Sequence, residues 1–276
     1  MIASVISPAF RGILFALLIF SVSGLSPIPA ARAADTVERP ALRVCADPAN
    51  LPFSSRSGEG FENKVAALFG EKLGLPVTYA WFPQTIGFIR NTLKAKKCDL
   101  ILGAVADQEP LLSTAPYYRS AYALVYRADS DIAGIDTLSD TRLKNKSIGI
   151  VAGTPPATIM ATNGLLEHSK SFPLAVDRRH AAPAERMIAE IAAGELDAGI
   201  LWGPIAGYYA QQNGGGLLVV PLLKETTGPQ MIFAITMGVR HGKTKWQHTV
   251  NNLIARHQDE IDAVLRGFAV PLVKLR

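Results

Sequence analysis

The segment from Leu42 to Phe69, LRVCADPANLPFSSRSGEGFENKVAALF, sets polar and aromatic side chains on a loop between an apolar run and a helical pattern. Asp47 and Asn50 stand where the run ends, so their side chains either reach a ligand or close turns on their own backbone. Phe53 and Phe61 either wall a pocket or pack in the core. Glu62 opens the helical pattern, where a carboxylate complements the dipole and the free amides of a first turn. Further on, Gly153-Thr154 precedes Pro155 at a second helix start, which suits both an N-cap and a set of backbone donors for an anion.

These groups are suited to holding a molecule. Acid or base chemistry would have to run on Asp47 or Glu62, since the chain has no Gly-x-Ser-x-Gly, no His-Glu-x-x-His and no nucleophile–base constellation. GVRHGKT, Gly238 to Thr244, is one residue short of phosphate-loop spacing and reads as a turn, as does Gly214-Gly215-Gly216.

Such groups need strands that end at a common edge. LRVCAD reads as a strand, ENKVAALFGEKLG as a helix closing at Gly74, PVTYAWF as a strand, IGFIRNTLKAKK as a helix, and CDLILGAV and YALVYR as strands. A second unit begins at Ser147: SIGIVAGT, LAVDRR and LDAGILWG as strands, PPATIMATNGLL and PAERMIAEIAAGE as helices. The alternation predicts an α/β chain of two lobes, each a mostly parallel sheet flanked by helices. MIFAITMGV then returns to the first lobe and, with YALVYR, makes a two-strand hinge, and KWQHTVNNLIARHQDEIDAVLRGF reads as one long amphipathic helix. The expected lobes are residues 34–126 with 238–276, and residues 127–237, with hinge strands near 122–127 and 231–237. Ligands of open α/β sheets bind beyond the carboxyl ends of strands, here across a cleft.

Residues 1–33 carry Arg11, an apolar run from Gly12 to Phe20 and the small-residue sequence Ala31-Arg32-Ala33, the pattern of a cleaved secretory leader. The run is shorter than the roughly 20 apolar residues of a bilayer span. A mature chain starting near Ala34 in the periplasm is expected, with no membrane-embedded segment. The formal charge of +5 is scattered, with no basic run interleaved with aromatics, which argues against nucleic acid as a partner. Cys45 and Cys98 are the two cysteines; in an oxidising compartment they pair by default, closing a loop whose constraint is worth about 4 kcal/mol. The five histidines show no ligand spacing against them and there is no Cys-x-x-Cys, so no metal, redox pair or cofactor is expected.

Asp47 with Pro52-Phe53, Gly60-Phe61-Glu62, CDLILG with Gly103, TAPYY, VAGT and GELDAGI occur in an order that resembles the type II periplasmic solute-binding proteins of family 3, across essentially the whole mature chain. The resemblance implies a non-enzymatic two-lobed receptor whose cleft is framed by these positions and by Tyr118. Amino-acid-binding members place an Arg shortly before the Ser-x-Pro-Tyr-Tyr element to clamp the ligand carboxylate. They place an Asp for the ammonium five residues after the Asp of Gly-x-x-Asp-Ala. Here Leu102 to Tyr118 holds no Arg or Lys, Arg119 is the nearest cation, and the second position is Trp202. A standard amino acid would lack the charge-assisted bonds that offset its desolvation.

CADPANLPFS, GEGFEN, WFPQ with GFIRNTL, the cysteine of CDLILG and PYYRSAY are similar to the MxaJ/XoxJ-like accessory proteins of quinoprotein (PQQ-dependent) methanol and alcohol dehydrogenases. That resemblance implies a periplasmic partner of such a dehydrogenase. Thr85-Ile86 stand in place of a more basic pair, and the loop Ala106 to Leu112 is short. Two other readings stay open. One is an ABC-transporter receptor for a neutral or anionic small solute, with a permease as partner; the other is an enzyme of the cyclohexadienyl dehydratase kind.

Overall fold

The first apolar run forms strand β1 (Leu42–Ala46) in the computed structural model, which describes residues 39–174 and 182–274. The expected leader, residues 1–33, lies outside the described residues. Two short strands, β2 (Ala49–Asn50) and β3 (Ser54–Ser55), lead to helix α1 (Phe61–Leu73), β4 (Val77–Trp81), a π-helical turn at Arg90–Lys94, β5 (Leu100–Val105), β6 (Leu112–Ser113) and β7 (Tyr118–Arg127). Then come β8 (Ile148–Val151), α2 (Pro155–Thr162), β9 (Ser169–Phe172), α3 (Pro183–Ala192), β10 (Ala198–Trp202), α4 (Gly203–Gln212) and β11 (Leu217–Pro221). The chain closes with β12 (Ile232–Val239), α5 (Thr244–Arg256) and α6 (Gln258–Gly267).

The main path of the sheet is β4-β1-β5-β12-β7-β10-β8-β9. β1 lies parallel to β4 and β5, and β8 lies parallel to β9 and β10, so each half is mostly parallel. β12 and β7 run antiparallel to their neighbours and join the halves. Separate apolar cores form on either side of that junction. Phe61, Val65, Leu100, Met237 and Ile254 belong to one, and Leu124, Ile148, Met160 and Ile200 to the other. This is the two-lobed α/β architecture expected from the strand–helix alternation.

Local chemistry sets the element ends. The Asn63 Oδ1 accepts from the backbone N–H of Gly60 (3.2 Å) and of Ser55 (2.9 Å), which fixes the entry to α1 and the loop before it. Gly74 closes α1 at φ 66°, a left-handed conformation that glycine adopts without penalty.

Three expectations are corrected. The helix expected over IGFIRNTLKAKK is short and ends in the π-helical turn, where the Thr92 hydroxyl donates to the Phe88 carbonyl at 2.6 Å and competes with the regular ladder. The long C-terminal helix breaks at His257, whose φ of −122° is non-helical and whose ring bonds Glu260 at 2.7 Å. Five of the six residues of the strand expected over LAVDRR fall within 175–181, outside the described residues; ahead of them β9 pairs with β8 from Ser169 to Phe172 and sends Phe172 into the core. The strand read from Tyr122 begins at Tyr118, because β12 supplies ladder partners for Tyr118 to Ala121.

Cys45 and Cys98 are bonded, with Cα atoms 5.4 Å apart, tying β1 to the approach of β5. The next residue, Asp99, is 5% exposed and holds three arginines: Arg39 at 3.0 Å, Arg43 at 2.7 Å, and Arg240. Its carbonyl accepts from the Trp246 indole at 3.1 Å, and Arg39 lies 4.1 Å above the Trp246 ring. Burial pushes the Asp99 carboxyl up, but hydrogen bonds from Arg43 and Arg240 and the nearby charges outweigh it and hold the group below its ordinary value. Stability from this group is therefore present above pH about 4 and is lost as pH falls through the lowered value. Asp99→Ala leaves three guanidinium groups without their shared partner and is expected to cost roughly 3–5 kcal/mol in urea unfolding at pH 7. A loss under about 1 kcal/mol would show that water replaces the carboxylate.

Candidate functional site

A cavity of about 370 Å³ lies beyond the carboxyl ends of β8 and β10, closed on the opposite side by the loop that follows β1. Asn50, Leu51 and Ser55 line it from that loop, and Leu201, Trp202 and Ile205 from the β10–α4 turn. Tyr122 of β7 faces it at the junction of the halves. Register places Tyr122 opposite Trp202 across β7 and β10, and the two rings meet edge to face with centroids 5.4 Å apart. Phe233 of β12 completes the cluster, 5.8 Å from Trp202 and 6.4 Å from Tyr122.

Three helix starts border the same space, and each carries proline in its first two positions: Pro155-Pro156 in α2, Pro183 in α3 and Pro204 in α4. Proline has no N–H, so these starts lack donors that a helix N-terminus otherwise presents. Thr154 occupies the N-cap position of α2, but its hydroxyl donates back to the Val151 carbonyl at 2.7 Å and makes no cap bond. The next available amide, Ala157 N–H, donates to the Thr154 carbonyl at 3.0 Å. The anion geometry expected at Thr154 is therefore not built.

The sequence-expected residues fall into three groups. Asn50, Thr154 and Trp202 line the cavity. Asn50 is 4% exposed; its Nδ2 donates to Gln84 Oε1 at 2.9 Å, while its Oδ1 is buried with no partner.

Asp47, Glu62 and Gly103 are not among the lining residues. Asp47 accepts from the backbone N–H of Ala49 (2.8 Å) and of Gln84 (2.7 Å), so it anchors two loops. Glu62 is 8% exposed and packs against Gly103, which has φ 70°; any Cβ at 103 would collide with the Glu62 carboxyl, so glycine is required twice over. Burial, and secondly the charge of Asp47, push the Glu62 carboxyl up to about 8.

Phe53, Phe61, Tyr118 and Arg119 do not line the cavity. Phe61 meets Phe53 at 5.3 Å and Tyr118 at 6.1 Å, both edge to face, as parts of the first core. Arg119 donates to the Lys274 carbonyl at 3.2 Å and accepts from Val273 N–H through its own carbonyl, so it holds the C-terminal segment; among the described residues no Lys or Arg lines the cavity. Tyr122, Leu201, Ile205 and Tyr209 are among the lining residues that sequence reasoning missed. Ile205 and Tyr209 stand four residues apart on α4, a helical spacing that would have found those two.

Because Glu62 is raised in the folded chain, it favours folding most at pH below its unfolded value and loses that contribution as pH rises toward about 8. Glu62→Gln should therefore gain on the wild type by up to about 1.4 kcal/mol per pH unit between pH about 5 and 8, with no further change above. Urea midpoints measured for both proteins at several pH values check this; parallel pH profiles would mean that Glu62 titrates as an ordinary surface carboxylate.

The family model for bacterial extracellular solute-binding proteins, family 3, matches residues 42–266. Protein MoxJ of Methylorubrum extorquens is 31% identical over 248 residues, covering 84% of this chain and 81% of that protein. Among solved structures, periplasmic binding protein XoxJ from Methylobacterium extorquens AM1 is 41% identical with a TM-score of 0.72, covering 85% of this chain and 100% of that one. MxaJ from Methlophaga aminisulfidivorans MPT, at 23% identity, has a TM-score of 0.71 over 84% of this chain and 100% of its own, a likeness of fold. With the match spanning the strands of both lobes and the cavity between them, the chain belongs to family 3 of the bacterial extracellular solute-binding proteins, among its MoxJ- and XoxJ-like members.

Proposed function

We propose that this chain is a non-enzymatic, binding-protein-like accessory protein of a PQQ-dependent methanol or alcohol dehydrogenase, exported to the periplasm and acting through activation, maturation or partner binding. Trp202 is the observation that carries this reading. It stands where the resemblance calls for the carboxylate that grips an amino-acid ammonium, and its ring is packed against Tyr122 and Phe233. With Arg119 turned to the C-terminal segment, neither of the two positions that the resemblance names as anchors puts a charge on the cavity lining. The MoxJ and XoxJ relatives support the dehydrogenase as partner. In this reading the lobes are residues 34–126 with 238–276 and residues 127–237, and β7 and β12 serve as the hinge.

A second reading, a transporter receptor for a neutral or anionic small solute, is favoured by the cavity itself, whose volume is within the range of small-molecule sites. The two separate experimentally. A tagged copy expressed in its own periplasm should co-purify a PQQ dehydrogenase, and a clean deletion should lower PQQ-dependent alcohol oxidation several-fold, restored by a plasmid copy. Unchanged dehydrogenase activity in the deletion strain, together with loss of uptake of one neutral solute, would replace the first reading by the second.

A further inference from the structure

We propose that a groove on the first lobe, between residues 84–94 and the connection from β5 to β6, is the face that docks the dehydrogenase, and that it takes an apolar side chain of that partner set among carboxylates. The inference rests on the accessory reading above and names the interface for it.

The groove measures about 480 Å³ and shares no lining residue with the cleft cavity. Phe88, Ile101, Ala104 and Leu111 floor it, and all four belong to the small apolar core around the Cys45–Cys98 bond. A floor braced by a disulfide is already ordered, which spares part of the cost of association. At the lip stands Ile86, fully exposed and the most exposed large apolar side chain among the described residues. An apolar side chain left in water beside an apolar hollow, with charges around the rim, is the arrangement of a protein contact.

Charge decides which surface fits. From Pro83 to Lys97 the chain carries Arg90, Lys94, Lys96 and Lys97 and no acid. All four are exposed, and none pairs with a carboxylate among the described residues. Arg90 and Lys94 stand four apart on the π-helical turn and both line the groove, so they would meet a partner's carboxylates at its edge and steer their approach. The other lip carries Asp107 and Glu109, both exposed, with Glu109 3.7 Å from His241. Those acids repel an anionic lipid surface, and a concave groove fits a flat bilayer poorly. A protein surface that turns its carboxylates toward Arg90 and Lys94 satisfies both lips.

The test is the affinity of the mature chain for the PQQ dehydrogenase purified from the same periplasm, measured by surface plasmon resonance. Ile86→Asp, and separately Arg90→Glu with Lys94→Glu, should each weaken binding at least about ten-fold. Raising salt from about 50 mM to about 500 mM should weaken the wild type steeply and the charge-reversed protein much less. Lys64→Glu with Lys144→Glu makes the same change in net charge at exposed positions on α1 and on the second lobe, and should leave affinity within about two-fold. The two groove variants change different exposed side chains, so either one decides the matter if the other does not fold. Losses no larger than the control's would overturn the inference while the accessory reading stands. A wild type that does not bind the dehydrogenase would overturn both. Flotation of the wild type, but not of the groove variants, with phosphatidylcholine vesicles containing about a quarter phosphatidylglycerol would make this a membrane face and overturn the inference alone.

Discussion

Both halves of this protein depend on one buried strand. β7 gives its first four residues to β12 and its remainder to β10 and β11, so a single run of backbone carries the ladders of two sheets. Buried amides that lost those partners would each cost about as much as a missing hydrogen bond, which is why the handover must be abrupt. It occurs at Tyr122, whose N–H bonds the Met231 carbonyl at 3.0 Å while its register partner on the other side is Trp202. The aromatic back of the cavity is thus a product of strand register, and the surrounding loops add the polar edge.

The first half carries the disulfide formed by the chain's two cysteines. The Cys45–Cys98 bond and the Asp99 cluster sit at adjacent residues, so a covalent link and a set of buried ion pairs act on the same end of β5. Arg240, just past β12, reaches the same cluster and bonds the Cys98 carbonyl. The strand that returns from the second half is therefore clamped as it re-enters the first.

Much of this was legible in the residues. The order of strands and helices around LRVCAD, CDLILGAV and LDAGILWG predicted the two-lobed α/β fold, because apolar runs of strand length separated by helical spacing leave few other arrangements. Element interiors were harder where side chains act on the backbone: the Thr92 hydroxyl and the His257 break carry no signature in hydrophobic periodicity. In the site, Trp202 and Asn50 stood out by position, whereas Tyr122 was read only as a strand residue, since its role comes from a cross-strand neighbour. Asp47 and Glu62 looked alike as loop acids. One spends both oxygens on backbone amides and the other is pressed against Gly103, a difference set wholly by tertiary packing.

The three-ring cluster gives the molecule a built-in optical probe. Of the three tryptophans, Trp81 stacks on Tyr79 at the outer strand and Trp246 lies beneath Arg39 in the first core, which leaves Trp202 as the indole at the crossing of the two halves. Its emission senses the polarity of the cleft and the distance to Phe233, which belongs to β12, one of the two strands that join the halves. A rotation of one half against the other would change that environment, so intrinsic fluorescence is a label-free test of whether the halves move.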